Sequence, residues 1–172
     1  MKKIGLIALV ALLFAQSCIT DKDKYKETDI FEAFETQQGF VVLHLPPVLF
    51  KFMLNLSEDK TQSNSDLIDK IEVIKVLFFE ETKTTISSNE VKDVMSKNIK
   101  GFKYNLLTNI SQEQTDVSIY IIEQESTIRE VLVTLLSEKE YIALNVVGEF
   151  SKEEVLKIYQ SINMQQVKSM GN

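Results

Sequence analysis

From Phe102 to Phe150 the sequence keeps a two-residue period, broken only by short polar or charged turns. Phe102, Tyr104, Leu106, Thr108 and Ile110 alternate with Lys103, Asn105 and Asn109. After a polar turn over Ser111–Asp116, Val117, Ile119 and Ile121 alternate with Ser118, Tyr120 and Ile122. Turns at Glu123–Ser126 and Ser137–Glu140 then set off the runs Ile128–Leu136 and Tyr141–Phe150. Helical neighbours recur every three or four residues, whereas successive strand residues point to opposite sides, so this pattern calls for strands. Four strands with connections this short pair antiparallel in chain order, as a meander.

Upstream, Gly39 opens Phe40–Leu45, a β-rich first strand, and Pro46-Pro47 ends it because proline cannot donate to a ladder. Pro47 suits a first helical turn, and 48–56 carries polar residues only at Lys51 and Asn55, which predicts a helix buried against the sheet. Ser57–Asp66 is polar and loop-like. Ile71–Phe79 is a second strand whose latter half is apolar on both sides, as a central strand requires. Ser88 is placed to cap a helix in which Val91, Val94, Met95 and Ile99 repeat at helical spacing, with Gly101 as its stop. Ser151-Lys152-Glu153-Glu154 is a capping box ahead of the stripe Val155, Ile158, Tyr159 and Ile162. Ile30–Phe34 reads as a short amphipathic piece on the domain edge. The fold class is therefore α+β: a single, mainly antiparallel sheet with a C-terminal four-strand meander and helices packed on it.

The N-terminus has a different character. Lys2 and Lys3 precede the uncharged run Ile4–Phe14, and Ala15-Gln16-Ser17 leads to Cys18, the only cysteine of 172 residues. That run is too short to cross a bilayer core, which takes roughly 20 helical residues, so it reads as a cleaved export signal. Two processing routes cut before Cys18. The ordinary signal peptidase accepts Ala15 and Ser17, while the lipoprotein route first attaches diacylglycerol to the Cys18 sulfur. A lone thiol has no internal disulfide partner in an oxidising envelope, which favours lipidation at Cys18 and an anchor in the outer membrane. Each buried CH₂ of such an anchor contributes about 0.8 kcal/mol. The domain plan is a signal over 1–17, a lipidated cysteine and tether over 18–29, one domain over 30–164, and a flexible tail over 165–172.

Removing the signal leaves 155 residues, enough for one domain with a sizeable core. Two of the 19 basic residues leave with it, so 17 face 25 acidic ones and the net charge is near −8. That balance argues against nucleic acid as a partner, since its binders need a positive footprint. Five glycines, with Gly5 and Gly171 outside the domain body, leave no material for a phosphate-cradling loop.

Residues that could carry chemistry are few. His44, the sole histidine, ends the first strand with no nucleophile or orienting carboxylate in its neighbourhood of sequence, and reads as structural. One histidine and one cysteine cannot supply a zinc site. The acidic pairs Glu80-Glu81, Glu123/Glu125, Glu138/Glu140 and Glu153-Glu154 flank turns or a helix start, where solvent is expected, and none has the loop spacing of a calcium site. Asn55-Leu56-Ser57 and Asn109-Ile110-Ser111 match the glycosylation sequon and read as chance. The apolar 48–56 segment is core, or the lining of a pocket for an apolar ligand.

Three features together have a family look: the Lys-rich signal, the strand Gly39-Phe40-Val41-Val42 followed by a Phe/Met-rich segment, and Tyr141–Phe150 running directly into Ser151–Val155. Over about residues 28–162 the chain resembles an uncharacterised Bacteroidota family of small secreted or lipid-anchored envelope proteins, classed as a domain of unknown function. The resemblance carries no catalytic residue, cofactor or metal across. The expectation is a non-catalytic envelope lipoprotein, held to the membrane by its lipid, whose domain binds a protein partner or envelope component. The alternatives are a carrier or sensor of an apolar molecule held between 48–56 and the sheet, and a hydrolase using scattered carboxylates.

Overall fold

The computed structural model describes residues 25–49, 63–81, 84–112 and 115–161. Six strands form one sheet: β1 (Phe40–Leu45), β2 (Ile71–Glu80), β3 (Asn105–Gln112), β4 (Thr115–Gln124), β5 (Thr127–Leu136) and β6 (Glu140–Phe150). Their order is β1-β2-β6-β5-β4-β3, and every neighbouring pair is antiparallel. The meander expected from the alternation is β3–β6, and β2 packs beside β6 as a central strand. Among the described residues the longer helices are α1 (Ser63–Asp69), α2 (Ser88–Gly101) and α3 (Lys152–Ser161), with a short 3-10 helix at Glu32–Phe34.

Eight consecutive residues are buried in each of β5 and β6, so both faces of the sheet must be covered. On one face, Leu67 and Ile68 of α1 and Val155 and Ile158 of α3 pack on Ile74, Val131, Val133, Leu144 and Val146. On the other, Val91, Met95 and Ile99 of α2 join Ile30, Phe31 and Phe34 over Leu77, Leu132, Tyr141 and Ala143. The chain leaves β2 near one edge and must re-enter four strand spacings away at β3, about 19 Å. The 14 residues of α2, about 21 Å long, bridge most of that gap while covering the face.

Several local expectations change in the folded chain. Ile30–Phe34 does not sit on the domain edge: Phe31 and Phe34 are fully buried, and Phe34 stacks on Phe40, which stacks on Phe79. Tyr25–Asp29, assigned to the tether, lies against the same face as part of a strap running to Phe34. The polar run Ser57–Asp66 is not loop to its end, because α1 begins at Ser63, and Leu67 and Ile68 anchor it to the sheet. Of the 48–56 helix, Val48 and Leu49 are exposed in a helical turn opened by Pro47, and the rest lies outside the described residues.

The cap of α2 is Ser87 rather than Ser88: Ser87 Oγ accepts from the Glu90 amide while the Glu90 carboxylate accepts from the Ser87 amide. Ser88 is buried and donates instead to the Glu138 carbonyl at 2.9 Å. The helix ends at Gly101 as expected, but the left-handed residue of its ending is Lys103. The Tyr104 amide donates to Ile99 O and the Lys103 amide to Lys100 O, a Schellman ending that places Lys103 at φ 61°. Phe102–Tyr104 are consumed by that turn, so the strand starts at Asn105 rather than Phe102. The capping box at Ser151 forms as expected, with Glu154 also bound to Lys70 at 2.7 Å. Burial pushes the Glu154 carboxyl up, but Lys70 and the Ser151 amide outweigh it and hold the group below its ordinary value.

Two positions test this packing. Gly148 in β6 lies so close to the Lys70 carbonyl and the Phe150 ring that a Cβ would collide with both. Gly148→Ala is expected to destabilise by about 1–3 kcal/mol in urea unfolding, since one contact is backbone and cannot swing away. The β4–β5 hairpin turns on Glu125 and Ser126 alone, both at positive φ, where Asn-Gly is the favoured pair. Glu125→Asn with Ser126→Gly is expected to raise stability by about 1 kcal/mol in the same assay.

Candidate functional site

Three central strands carry polar residues where their neighbours are apolar: Lys75 in β2, Arg129 and Glu130 in β5, and Asn145 in β6. Lys75 sits opposite Asn145 and Asn145 opposite Leu132, so these positions share the face beneath the strap. A bulge between Ile128 and Glu130 breaks the β5–β6 register and sets Arg129 beside Glu130 instead of across the sheet from it.

Glu130 is wholly buried and is the centre of the cluster. One carboxylate oxygen accepts from the Tyr25 hydroxyl and the Thr28 amide, each at 2.7 Å. The other accepts from the Thr28 hydroxyl at 2.8 Å, from Asn145 Nδ2 at 3.1 Å, and from the Tyr104 hydroxyl. The Thr28 and Tyr104 hydroxyls are themselves 2.8 Å apart. Around this centre, Lys75 is 4% exposed and pairs with Glu27 at 3.0 Å and Asp29 at 3.4 Å. The Arg129 guanidinium lies 4.9 Å over the Tyr25 ring and pairs with Glu149, with Glu72 at 3.5 Å. A buried carboxylate is costly unless its lone pairs are filled, and hydrogen bonds to a charged group contribute about 1.5–3 kcal/mol each. Here the donors come mainly from the strap, so the cluster fastens residues 25–29 to the sheet.

Burial pushes the Tyr104 hydroxyl far above its ordinary value, and the neighbouring Glu130 pushes it further. Tyr25 is raised by the same two causes, and Tyr141 by burial. Tyr25 and Tyr104 are donors locked to the Glu130 carboxyl and keep their protons, whereas the buried Tyr141 hydroxyl is bonded to Thr134.

The residues singled out from sequence lie elsewhere. His44 is mostly exposed at the end of β1, 3.5 Å from Glu35. The acidic pairs flank the turns as expected: Glu80 faces Glu140 across β2–β6, Glu123 and Glu125 are exposed, and Glu154 serves the α3 cap. Asn109 donates to Ser118 at 2.7 Å, and Asn55 lies outside the described residues, as does Cys18. Among the described residues, no three of His, Cys, Asp and Glu gather as a metal site needs, and no helix is long and apolar enough to span a membrane. Sequence reasoning passed over Glu130 altogether. Its one signal was an Arg-Glu pair interrupting a strand that is otherwise apolar on both faces.

A second feature is β3 at the end of the sheet, with no strand on its outer side among the described residues. Leu106 is 58% exposed, and Leu107, Ile110 and Phe102 are exposed beside it. The register skips at Leu107, which places Leu106 opposite Tyr120 on the α2 face and Ile110 opposite Val117 on the α3 face. The edge therefore exposes an apolar side chain on each face amid polar Asn105, Thr108, Asn109, Ser111 and Gln112.

An α+β domain with one antiparallel sheet, covered on both faces and latched by a buried acid, is the class these features define. The family model described as Domain of unknown function (DUF4252) matches residues 34–158, and the chain belongs to that family. No curated protein and no solved structure matches the chain significantly. The match takes in Tyr104, Glu130 and Asn145, while Tyr25 and Thr28 precede it.

Tyr104→Phe tests the latch. Loss of one donor to the buried acid is expected to cost about 1–3 kcal/mol at neutral pH. The raised Tyr104 value also sets an alkaline signature. Unfolded tyrosine ionises near pH 10 while folded Tyr104 holds its proton, so its stabilisation is complete below about pH 10 and fades above it. The variant should lose stability less steeply above that pH, by about 1.4 kcal/mol per pH unit, in urea unfolding at graded pH.

Proposed function

We propose that this is a non-catalytic envelope lipoprotein, anchored through Cys18 in the outer membrane, whose domain binds a protein partner along the β3 edge. The observation that carries the binding reading is the uncharged β3 strand, whose Leu106, Leu107 and Ile110 are exposed at the end of the sheet, with no strand beyond it among the described residues. An edge strand offers a row of unpaired amides and carbonyls, and exposed apolar side chains along it are the usual mark of a protein contact. The buried polar residues support the same reading: Glu130, Asn145 and Lys75 are engaged with one another's neighbours and with the strap, and belong to the architecture.

The anchor reading rests on the signal-like N-terminus and its lone cysteine. Because the strap is fastened from Tyr25 onward, only residues 19–24 separate the docked segment from Cys18, a reach of at most about 25 Å. The domain would work close to the bilayer surface, presenting its sheet edge to neighbours on the same membrane.

The wild-type protein is expected to pellet with membranes and partition into detergent, and Cys18→Ser to remain an unacylated precursor or soluble form. A photo-cross-linking residue at position 106 in whole cells should capture protein, whereas the same residue at Val41 on the opposite edge should not. Equal capture from both edges would remove the assignment of the binding surface to β3.

A further inference from the structure

We infer that the domain stands end-on to the bilayer, with Val48 and Leu49 seated in the boundary between lipid headgroups and acyl chains. The inference rests on the Cys18 anchor proposed above and adds which surface of the domain meets lipid.

Register defines the two ends of the sheet. Leu45 at the end of β1 pairs with Ile74 near the start of β2, Ile71 with Gly148 near the end of β6, and Phe150 with Ile128 near the start of β5. These positions form one end, completed by the β4–β5 turn and by the start of β3, where Asn105 pairs with Ile121. The other end holds the turn before β1 and the β5–β6 turn, beside the pairs Phe40–Phe79 and Leu136–Tyr141.

The strap fixes where the anchored segment leaves the domain. Tyr25 lies beneath Arg129 and donates to Glu130, the third and fourth residues of β5, whereas Phe34 stacks on Phe40 at the other end. The segment leading back to Cys18 therefore departs at the end where β5 starts. Six strand steps separate Glu130 from Leu136, about 20 Å. Turning the other end to the bilayer would take most of the tether pulled straight, while the near end needs almost none of it.

Exposed side chains divide the same way. At the near end Pro46-Pro47 closes β1, and the helical turn that follows leaves Val48 68% and Leu49 51% exposed. Phe102 is exposed at this end too, where α2 gives way to β3. The turns of the other end present Gln37, Gln38, Glu138 and Lys139 instead. Val41 and Ile110, the exposed apolar residues closer to that end, lie within the two edge strands and not in its turns. Adjacent apolar side chains so open to water gain by entering a lipid interface, and a bilayer is the apolar partner that the anchor itself brings to this end. Exposed Lys103 and Lys152 share the end with Glu123, Glu125 and Glu153. Mixed signs on a chain near −8 suit a zwitterionic headgroup layer rather than an anionic one.

The test uses the full acylated chain in phosphatidylcholine vesicles whose acyl chains carry bromine, which quenches indole on contact. The chain has no tryptophan, so a single one introduced at an exposed position reports alone. Leu49→Trp is expected to lose about half of its fluorescence or more, and Lys139→Trp at the other end less than about a tenth, because an interfacial side chain reaches the depth of the bromines. Circular dichroism checks that both variants are folded, and flotation with the vesicles reads the anchor separately. Protein that floats without quenching at position 49 would overturn the end-on placement and leave the anchor standing. Equal quenching at both positions would do the same. Protein that does not float would overturn the anchor and this inference together.

Discussion

Burial of β5 and β6 on both faces is the constraint from which the rest of the structure follows. A strand with eight consecutive buried residues cannot leave either side to water, so the chain must supply two covering layers. It supplies α1 and α3 on one side, from the segments adjoining β2 and β6. On the other it uses α2, which has to cross the sheet to reach β3, and the N-terminal strap. The connection and the cover are thus one element in the case of α2.

The strap side is where packing alone would be least specific. Ile30, Phe31 and Phe34 could press on an apolar face in more than one register, because dispersion and hydrophobic contact are non-directional. Glu130 removes that freedom. Its two oxygens accept from Tyr25, both polar groups of Thr28, Tyr104 and Asn145, and a shift of the strap by one residue would leave a buried carboxylate short of donors. Breaking such an arrangement is more costly than making it is favourable, so its effect is to specify one register. Were Cys18 anchored as proposed, the same latch would limit how far the domain could stand from the membrane.

How much was readable in advance depended on the range of the interactions. The meander, the β2 strand and the Ser151 capping box follow from neighbours a few residues apart, and each is found where periodicity and capping chemistry put it. The start of α2 differs by one residue for a local reason, since Ser87 and Ser88 are both competent caps, while its end at Gly101 holds and the Schellman turn beyond uses Lys103 where glycine is usual. The latch was not readable, since Tyr25 and Glu130 are 105 residues apart and a single Arg-Glu step in a strand does not say what will face it. The exposed β3 side chains were missed for the opposite reason. Alternation shows that a strand has two faces, and it is silent on whether the strand stands at the centre of a sheet or at its edge.

What the sequence determined by itself was therefore the inventory: an α+β chain of alternating strands and capped helices, with an uncharged apolar run ahead of its one cysteine. Those depend on backbone sterics and short-range hydrogen bonds, which act within a turn or a strand. The tertiary structure alone decided that the strap belongs to the core, that Glu130 is an internal fastening, and that β3 ends the sheet. Each of those turns on which distant segments exclude water from a given side chain, a property of the assembled layers that no local pattern encodes.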